Sequence, residues 1–234
     1  WEWGRANACP VIALIDSWTS MARRFESPDG FVFPDAIGVI DTKAHLQLLS
    51  DTDYQKPVYI VGQAHLSEQT ARIEKVRRER HYTSDSKKLA FISEPIDADF
   101  GRSERGFDQF EIFDHFCHVL DETKVSKLLL KPHPRECRAS WQHHIEGIKA
   151  QMNIDIVICK GSADELLQWV DGVVGMTSMV LLEAHLLGIP TMSIQIGRTQ
   201  MVNPVIEDLD EPILNSTEIS NRFLIFMGKI GQIQ

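Results

Sequence analysis

Two polar turns, each set just beyond an apolar run, hold the residues best suited to chemistry. Lys131-Pro132-His133-Pro134-Arg135-Glu136 follows Val125 to Leu130, and Gly175-Met176-Thr177-Ser178 follows Val170 to Val174. In the first turn, proline fixes the backbone on both sides of His133 and pushes that residue into an extended conformation. An imidazole held there can hydrogen-bond a phosphate or a base, with Lys131 and Arg135 adding positive charge. The competing reading is a turn in which His133 serves backbone carbonyls. In the second turn, glycine permits a tight bend, and two hydroxyls meet the start of the helix Met179 to Leu187. Free N–H groups and the helix dipole favour an anion there. An ordinary Ser/Thr cap, worth about 1 kcal/mol, would explain the same residues without a ligand. Glu183, further along that helix, is placed either to accept hydrogen bonds from a ribose or to face solvent.

The elements that must position these turns follow a strand–helix rhythm. Pro10 to Asp16, Ala36 to Asp41 and Pro57 to Gly62 read as strands, with a helix from Thr42 to Leu49. Their continuous apolar character predicts a parallel sheet covered by helices on both faces. Glu68 to Asp85 interrupts the rhythm with Arg72, Lys75, Arg77, Arg78 and Arg80, a polar and partly helical connection. The rhythm then resumes with strands at Lys88 to Ser93, Leu128 to Leu130, Ile154 to Cys159, Val173 to Val174 and Thr191 to Gln195. Helices are expected over Phe107 to Leu120, Trp141 to Gln151, Ala163 to Val170 and Thr217 to about Met227. Phe107, Phe110, Phe113, Cys117 and Leu120 share one stripe, and Ser162 with Glu165 fits a capping box. The fold class is α/β with Rossmann-like parallel sheets. A partial first domain (1–68), a connection (69–86) and a complete second domain (87–234) are expected.

Three further acids and hydroxyls sit at strand ends. Asp16 is a candidate catalytic or acceptor-binding group, or a helix cap. Ser93 and Glu94 lie where a loop would approach a donor phosphate or sugar. Asp35 and Asp41 read as turn residues. His115, Cys117 and His118 lack a fourth ligand, so no metal is expected, and His143-His144 reads as helix surface.

A chain of 234 residues with a formal charge of −9 is unsuited to a general nucleic-acid surface. Cys9, Cys117, Cys137 and Cys159 are dispersed and suit a reducing, cytoplasmic setting. No apolar run is long enough to span a bilayer, which leaves peripheral membrane contact open.

The ordered set Lys-Pro-His-Pro-Arg-Glu, Ala163 to Leu167, Gly-Met-Thr-Ser, Glu183-Ala184 and Gly188-Ile189-Pro190 resembles the C-terminal domain of GT-B glycosyltransferases. The likeness is to the branch with UDP-GlcNAc 2-epimerase-like proteins, capsule-polysaccharide transferases and sialyltransferases, and covers most of residues 87 to 227. Ile15-Asp16-Ser17-Trp18 and Arg23-Arg24-Phe25 resemble the second half of the partner domain, and Val61-Gly62-Gln63 the crossover. The resemblance implies donor-nucleotide contacts at His133, Thr177, Ser178 and Glu183, to which Lys131 and Arg135 add positive charge. It implies a nucleotide-sugar donor, a glycan acceptor, no obligatory metal, and surface or capsule polysaccharide as product. A UDP-sugar 2-epimerase and a non-catalytic sugar-nucleotide-binding module are the alternatives. Sheet edges left by a partial front domain favour a homo-oligomer.

Overall fold

The computed structural model describes residues 1–79, 87–123, 125, 127–201, 203–209 and 211–232. The chain divides into two compact units, Trp1–Ser67 and Glu68–Gln234.

The first unit contains α1 (Glu2–Ala6), β1 (Ile12–Leu14), a short hairpin of β2 (Glu26–Ser27) and β3 (Gly30–Phe31), β4 (Ala36–Val39), α2 (Thr42–Asp51) and β5 (Val58–Ile60). Strands β1, β4 and β5 form a parallel sheet in that order. Asp41 caps α2 by accepting from the Ala44 amide at 2.8 Å, and its other oxygen takes the Trp18 indole N–H at 2.7 Å. Asp35 receives the Val11 amide and pairs with Lys56. One face of the sheet is buried through Ala13, Ile15, Ile37 and Val39, with Ala44 and Leu48 of α2 also in the core. The other face departs from the expectation of a sheet covered on both sides: Ile12 is 63% and Leu14 74% exposed, and Tyr59 and Val61 are exposed too. An apolar run specifies a strand, but not a covering layer for each face.

A single helix, α3 (Ala64–Glu79), runs through the boundary between the units. The expected polar connection is thus a regular helix as far as residue 79. Two of its basic residues are anchored: Arg72 pairs with Asp164, and Arg77 donates to the carbonyls of Leu167 and Val170 at 2.7 and 2.9 Å. Arg80 and the rest of the expected connection lie outside the described residues.

The second unit runs β6 (Leu89–Ile92), α4 (Ile96–Asp99), α5 (Arg102–Arg105), α6 (Gln109–Glu122), β7 (Lys127–Lys131), α7 (Arg138–Lys149), β8 (Asp155–Ile158), α8 (Ala163–Leu167), β9 (Gly172–Gly175), α9 (Met179–Leu186), β10 (Thr191–Ser193), α10 (Pro204–Leu209) and α11 (Ile219–Gln232). Its five-stranded sheet is all parallel, in the order β10-β9-β6-β7-β8. Strands β6 and β9 are buried at every residue, as the sequence pattern requires. Phe113, Phe116, Cys117 and Leu120 of α6 enter the core, where Phe113 meets Trp141 of α7 edge-on and Phe116 meets Phe223 of α11. Phe107 is buried just before the helix, which Asp108 caps. Ser162 and Glu165 form both halves of the capping box on α8. Hairpin β2–β3 and helix α10 have no counterpart in the sequence reading.

Candidate functional site

Strand β6 lies between β7 and β9, so the residue pair after β6 stands between the two polar turns. Ser93 and Glu94 tie those turns together, one on each side. Ser93 Oγ donates to Glu136 Oε1 at 2.8 Å. Glu94 accepts from the Thr177 amide at 2.7 Å and from its hydroxyl at 2.8 Å. The sequence points both side chains toward a donor phosphate or sugar; the structure instead spends them internally. Ser93 is 1% exposed, and Glu94 is half-buried. Burial raises the Glu94 pKa, opposed by its two bonds from Thr177.

Glu136 organises the His133 turn. Besides Ser93 it accepts the buried Trp141 indole N–H at 3.0 Å, and its second oxygen takes the His133 amide at 2.6 Å. The imidazole Nδ1 accepts from the Arg135 amide at 3.2 Å, which fixes the proton of the neutral ring on Nε2. Partial burial, and then Arg135, lower the His133 pKa. The ring therefore presents an Nε2–H donor at neutral pH. Lys131 ends β7, with its charge among those acting on His133. Arg135, expected to hold phosphate, instead makes a bidentate pair with Asp99, both contacts at 2.6 Å. The Arg135 side of the pair is largely exposed, so the pair adds little to stability.

The Thr177 turn is held on every side. Ser193 Oγ and Gln195 Nε2 donate to the Met176 carbonyl, and Asn203 Nδ2 donates to that of Thr177 at 3.0 Å. Ser178 caps α9 by accepting from Val180 N. Among the described residues, the amides of Ser178 and Met179 carry no hydrogen bond, leaving two donors at a helix N-terminus. The expected roles divide accordingly: Thr177 anchors the turn, while Ser178 and the helix start remain available.

Glu183 is half-buried on α9. Gln69 of α3 donates to it at 3.2 Å and to Asp164 at 2.6 Å. Burial, and then the neighbouring Asp164 charge, push its pKa up to about 7.

Two residues of the site are given no role in the sequence reading. Glu136 is one; Arg105 is the other. The Arg105 guanidinium lies 3.7 Å from the centre of the Phe100 ring, and its buried Nε has no hydrogen-bond partner among the described residues. Burial lowers its pKa, opposed by the charges of Glu104 and Glu94. Its loop, bounded by Gly101 and Gly106, is locked in place: Thr199 N donates to the Arg105 carbonyl at 3.2 Å, and Gly106 has φ +86° against the backbone of Gly197. A Cβ at residue 106 would collide with the Gly197 carbonyl. Gly106→Ala is expected to cost about 3 kcal/mol, from left-handed strain plus overpacking. Urea unfolding measures it, and a loss under about 1 kcal/mol would mean the loop is not locked.

Asp16 belongs to the first unit. Its side chain is exposed, its carbonyl accepts from Gln63 Nε2 at 3.0 Å, and it caps no helix. Among the described residues, no group of three or more His, Cys, Asp or Glu is arranged to hold a metal ion. Cys117 is buried, His118 exposed, and His144 pairs with Asp114. No described helix is long and apolar enough to cross a membrane.

No protein-family model and no curated protein matches the chain. Among solved structures it is similar to S. aureus MnaA with UDP, with a TM-score of 0.60 and 13% identity over 96% of this chain. It is similar to UDP-GlcNAc 2-epimerase from Neisseria meningitidis bound to UDP-GlcNAc, with a TM-score of 0.60 and 11% identity over 99% of this chain. Anabaena HepE in complex with UDP and glucose gives 0.55 and 11% over 98%. The chain spans 61%, 66% and 64% of the length of these three. With its Rossmann-like parallel sheets, the chain shares the GT-B type of fold with these structures.

Proposed function

We propose that the second unit binds a uridine-diphosphate sugar at the carboxyl end of its sheet, and that the protein transfers the glycosyl group to a glycan acceptor. The observation that carries this reading is the Ser93–Glu94 bridge. It fixes the His133 turn and the α9 start on either side of one strand, with His133 Nε2–H and the Ser178 and Met179 amides left as donors. Open α/β sheets hold phosphates at such strand ends. Arg105 and Lys131 supply positive charge, and Glu183 accepts from the ribose hydroxyls. Donors fixed before the reaction stabilise charge developing on the leaving diphosphate, so a metal is not obligatory. Asp16 is the first unit's candidate for deprotonating or orienting an acceptor hydroxyl. A role in surface or capsule polysaccharide synthesis fits this chemistry. The likeness to an epimerase bound to UDP-GlcNAc supports a second reading, a UDP-sugar 2-epimerase, which needs no acceptor.

Thermal-shift titration with UDP, UDP-glucose, UDP-GlcNAc, CMP and GDP tests the reading. Uridine diphosphates are expected to stabilise the protein, by about 2.7 kcal/mol at a hundredfold excess over Kd. His133→Ala is expected to remove that gain, and Ser178→Ala, which keeps the backbone amide but loses the hydroxyl and the cap on α9, to reduce it. No shift with any nucleotide in a folded sample would overturn the site. Product analysis with and without a glycan acceptor separates transfer from epimerisation.

A further inference from the structure

We propose that Gln69 is a positioning residue that makes the nucleotide site selective for ribonucleotides: held by Asp164, its carboxamide fixes Glu183 to receive the vicinal diol of a ribose. That selectivity rests on the nucleotide reading of the site and narrows its ligand to nucleotides that carry a 2′-hydroxyl.

The Gln69 carboxamide lies between two carboxylates. Its Nε2 donates to Asp164 Oδ1 at 2.6 Å and to Glu183 Oε2 at 3.2 Å. Only the NH₂ end suits this place, because a flipped amide would set its oxygen against two acceptors. Asp164 is committed on both oxygens, since Arg72 Nη2 holds Oδ2 at 2.6 Å. Gln69 and Arg72 are three residues apart on α3 and so share a face, while α8 supplies Asp164 and α9 supplies Glu183. Further along α3, the bonds from Arg77 to the Leu167 and Val170 carbonyls fix the helix against α8 and the residues after it. All of these residues belong to the second unit.

Glu183 is held yet keeps acceptor capacity. Oε2 takes the Gln69 bond, and Oε1 accepts none among the described residues. Burial, and then Asp164, push the Glu183 pKa up to about 7, and the bond from Gln69 acts against that rise. Gln69 therefore favours the ionised form of Glu183, which only accepts. Met179 and Glu183 are four residues apart on α9, so they share a face about 6 Å apart along the axis. The Glu183 side chain leans back toward the helix start. One nucleotide can reach both, with its diphosphate at the Met179 amide and its ribose at Glu183. A vicinal diol fills both carboxylate oxygens, Oε1 directly and Oε2 beside Gln69, through charge-assisted bonds. A 2′-deoxyribose has one hydroxyl to offer and leaves an acceptor without its donor.

Isothermal titration calorimetry of the full chain with UDP and 2′-deoxy-UDP tests this, on wild type, Gln69→Leu and Gln69→Lys. Wild type is expected to bind UDP about tenfold more tightly than 2′-deoxy-UDP, the equivalent of about 1.4 kcal/mol. Gln69→Leu removes both donated bonds and is expected to lower UDP to the affinity of the deoxynucleotide. Binding of 2′-deoxy-UDP is expected to stay unchanged in that variant, which also shows that it is folded. Gln69→Lys puts a donor back between the carboxylates and is expected to keep a preference for UDP. A purely structural role would weaken both nucleotides together. That parallel loss in Gln69→Leu, or an undiminished preference there, would overturn the role of Gln69 and leave the nucleotide site standing. Equal binding of the two nucleotides by wild type, or no preference in Gln69→Lys, would do the same. Binding of neither nucleotide by folded wild type would overturn the site, and the role of Gln69 with it.

Discussion

Glu136→Ala is expected to destabilise the second unit by about 4 kcal/mol and to abolish nucleotide binding. The carboxylate accepts three hydrogen bonds, from Ser93 Oγ, Trp141 Nε1 and the His133 amide. Ser93 and Trp141 are buried, so water cannot replace the lost acceptor without opening the core. Each orphaned buried donor costs about 1–3 kcal/mol, and the three share one acceptor, so their costs do not simply add. Glu136→Gln keeps one acceptor oxygen and turns an NH₂ toward the other donors, so about half the loss is expected. Urea unfolding gives the energies, and the Trp141 indole signal reports its hydrogen bond directly. A loss under about 1 kcal/mol for alanine would show that the turn does not depend on this residue.

Glu183→Gln is expected to change how stability depends on pH. The folded-state pKa of Glu183 is raised from 4.5 to about 7, chiefly by burial. Between these values the unfolded chain releases the proton while the folded chain keeps it, so stability falls as pH rises through the window. One unit corresponds to about 1.4 kcal/mol; with partial solvent contact reducing the full effect, about 2–3 kcal/mol is expected. Wild type and Glu183→Gln should therefore be similar near pH 4, with the glutamine variant more stable by that amount near pH 8. Parallel curves across this range would mean that Glu183 ionises normally.

The elements that carry the site are legible because their signals are local. The apolar run before Lys131, the proline on either side of His133 and the hydroxyls before Met179 place two polar turns at strand ends, where the structure has them. The Ser162–Glu165 capping box is local too. The clamp between the turns is not, since Glu94 and Thr177 are 83 residues apart and Ser93 and Glu136 are 43 apart. Nothing in either neighbourhood distinguishes a carboxylate bound for a neighbouring turn from one that will meet a ligand. Arg135 illustrates the same gap, because its partner Asp99 comes from a different βα connection. Arg72 and Arg77 read as a solvated charge run, while their partners lie on α8 and at its end. Ile12 and Leu14 show the converse, with local apolarity predicting a buried strand whose outer face stays in contact with water.

The central claim is that one nucleotide sits between the His133 turn and the start of α9, and a crystal structure of the full chain soaked with UDP tests it most directly. The expected result is a diphosphate within hydrogen-bonding distance of His133 Nε2 and of the Ser178 or Met179 amide, with the ribose at Glu183. Well-ordered UDP bound elsewhere, or an empty site at saturating UDP, would contradict it.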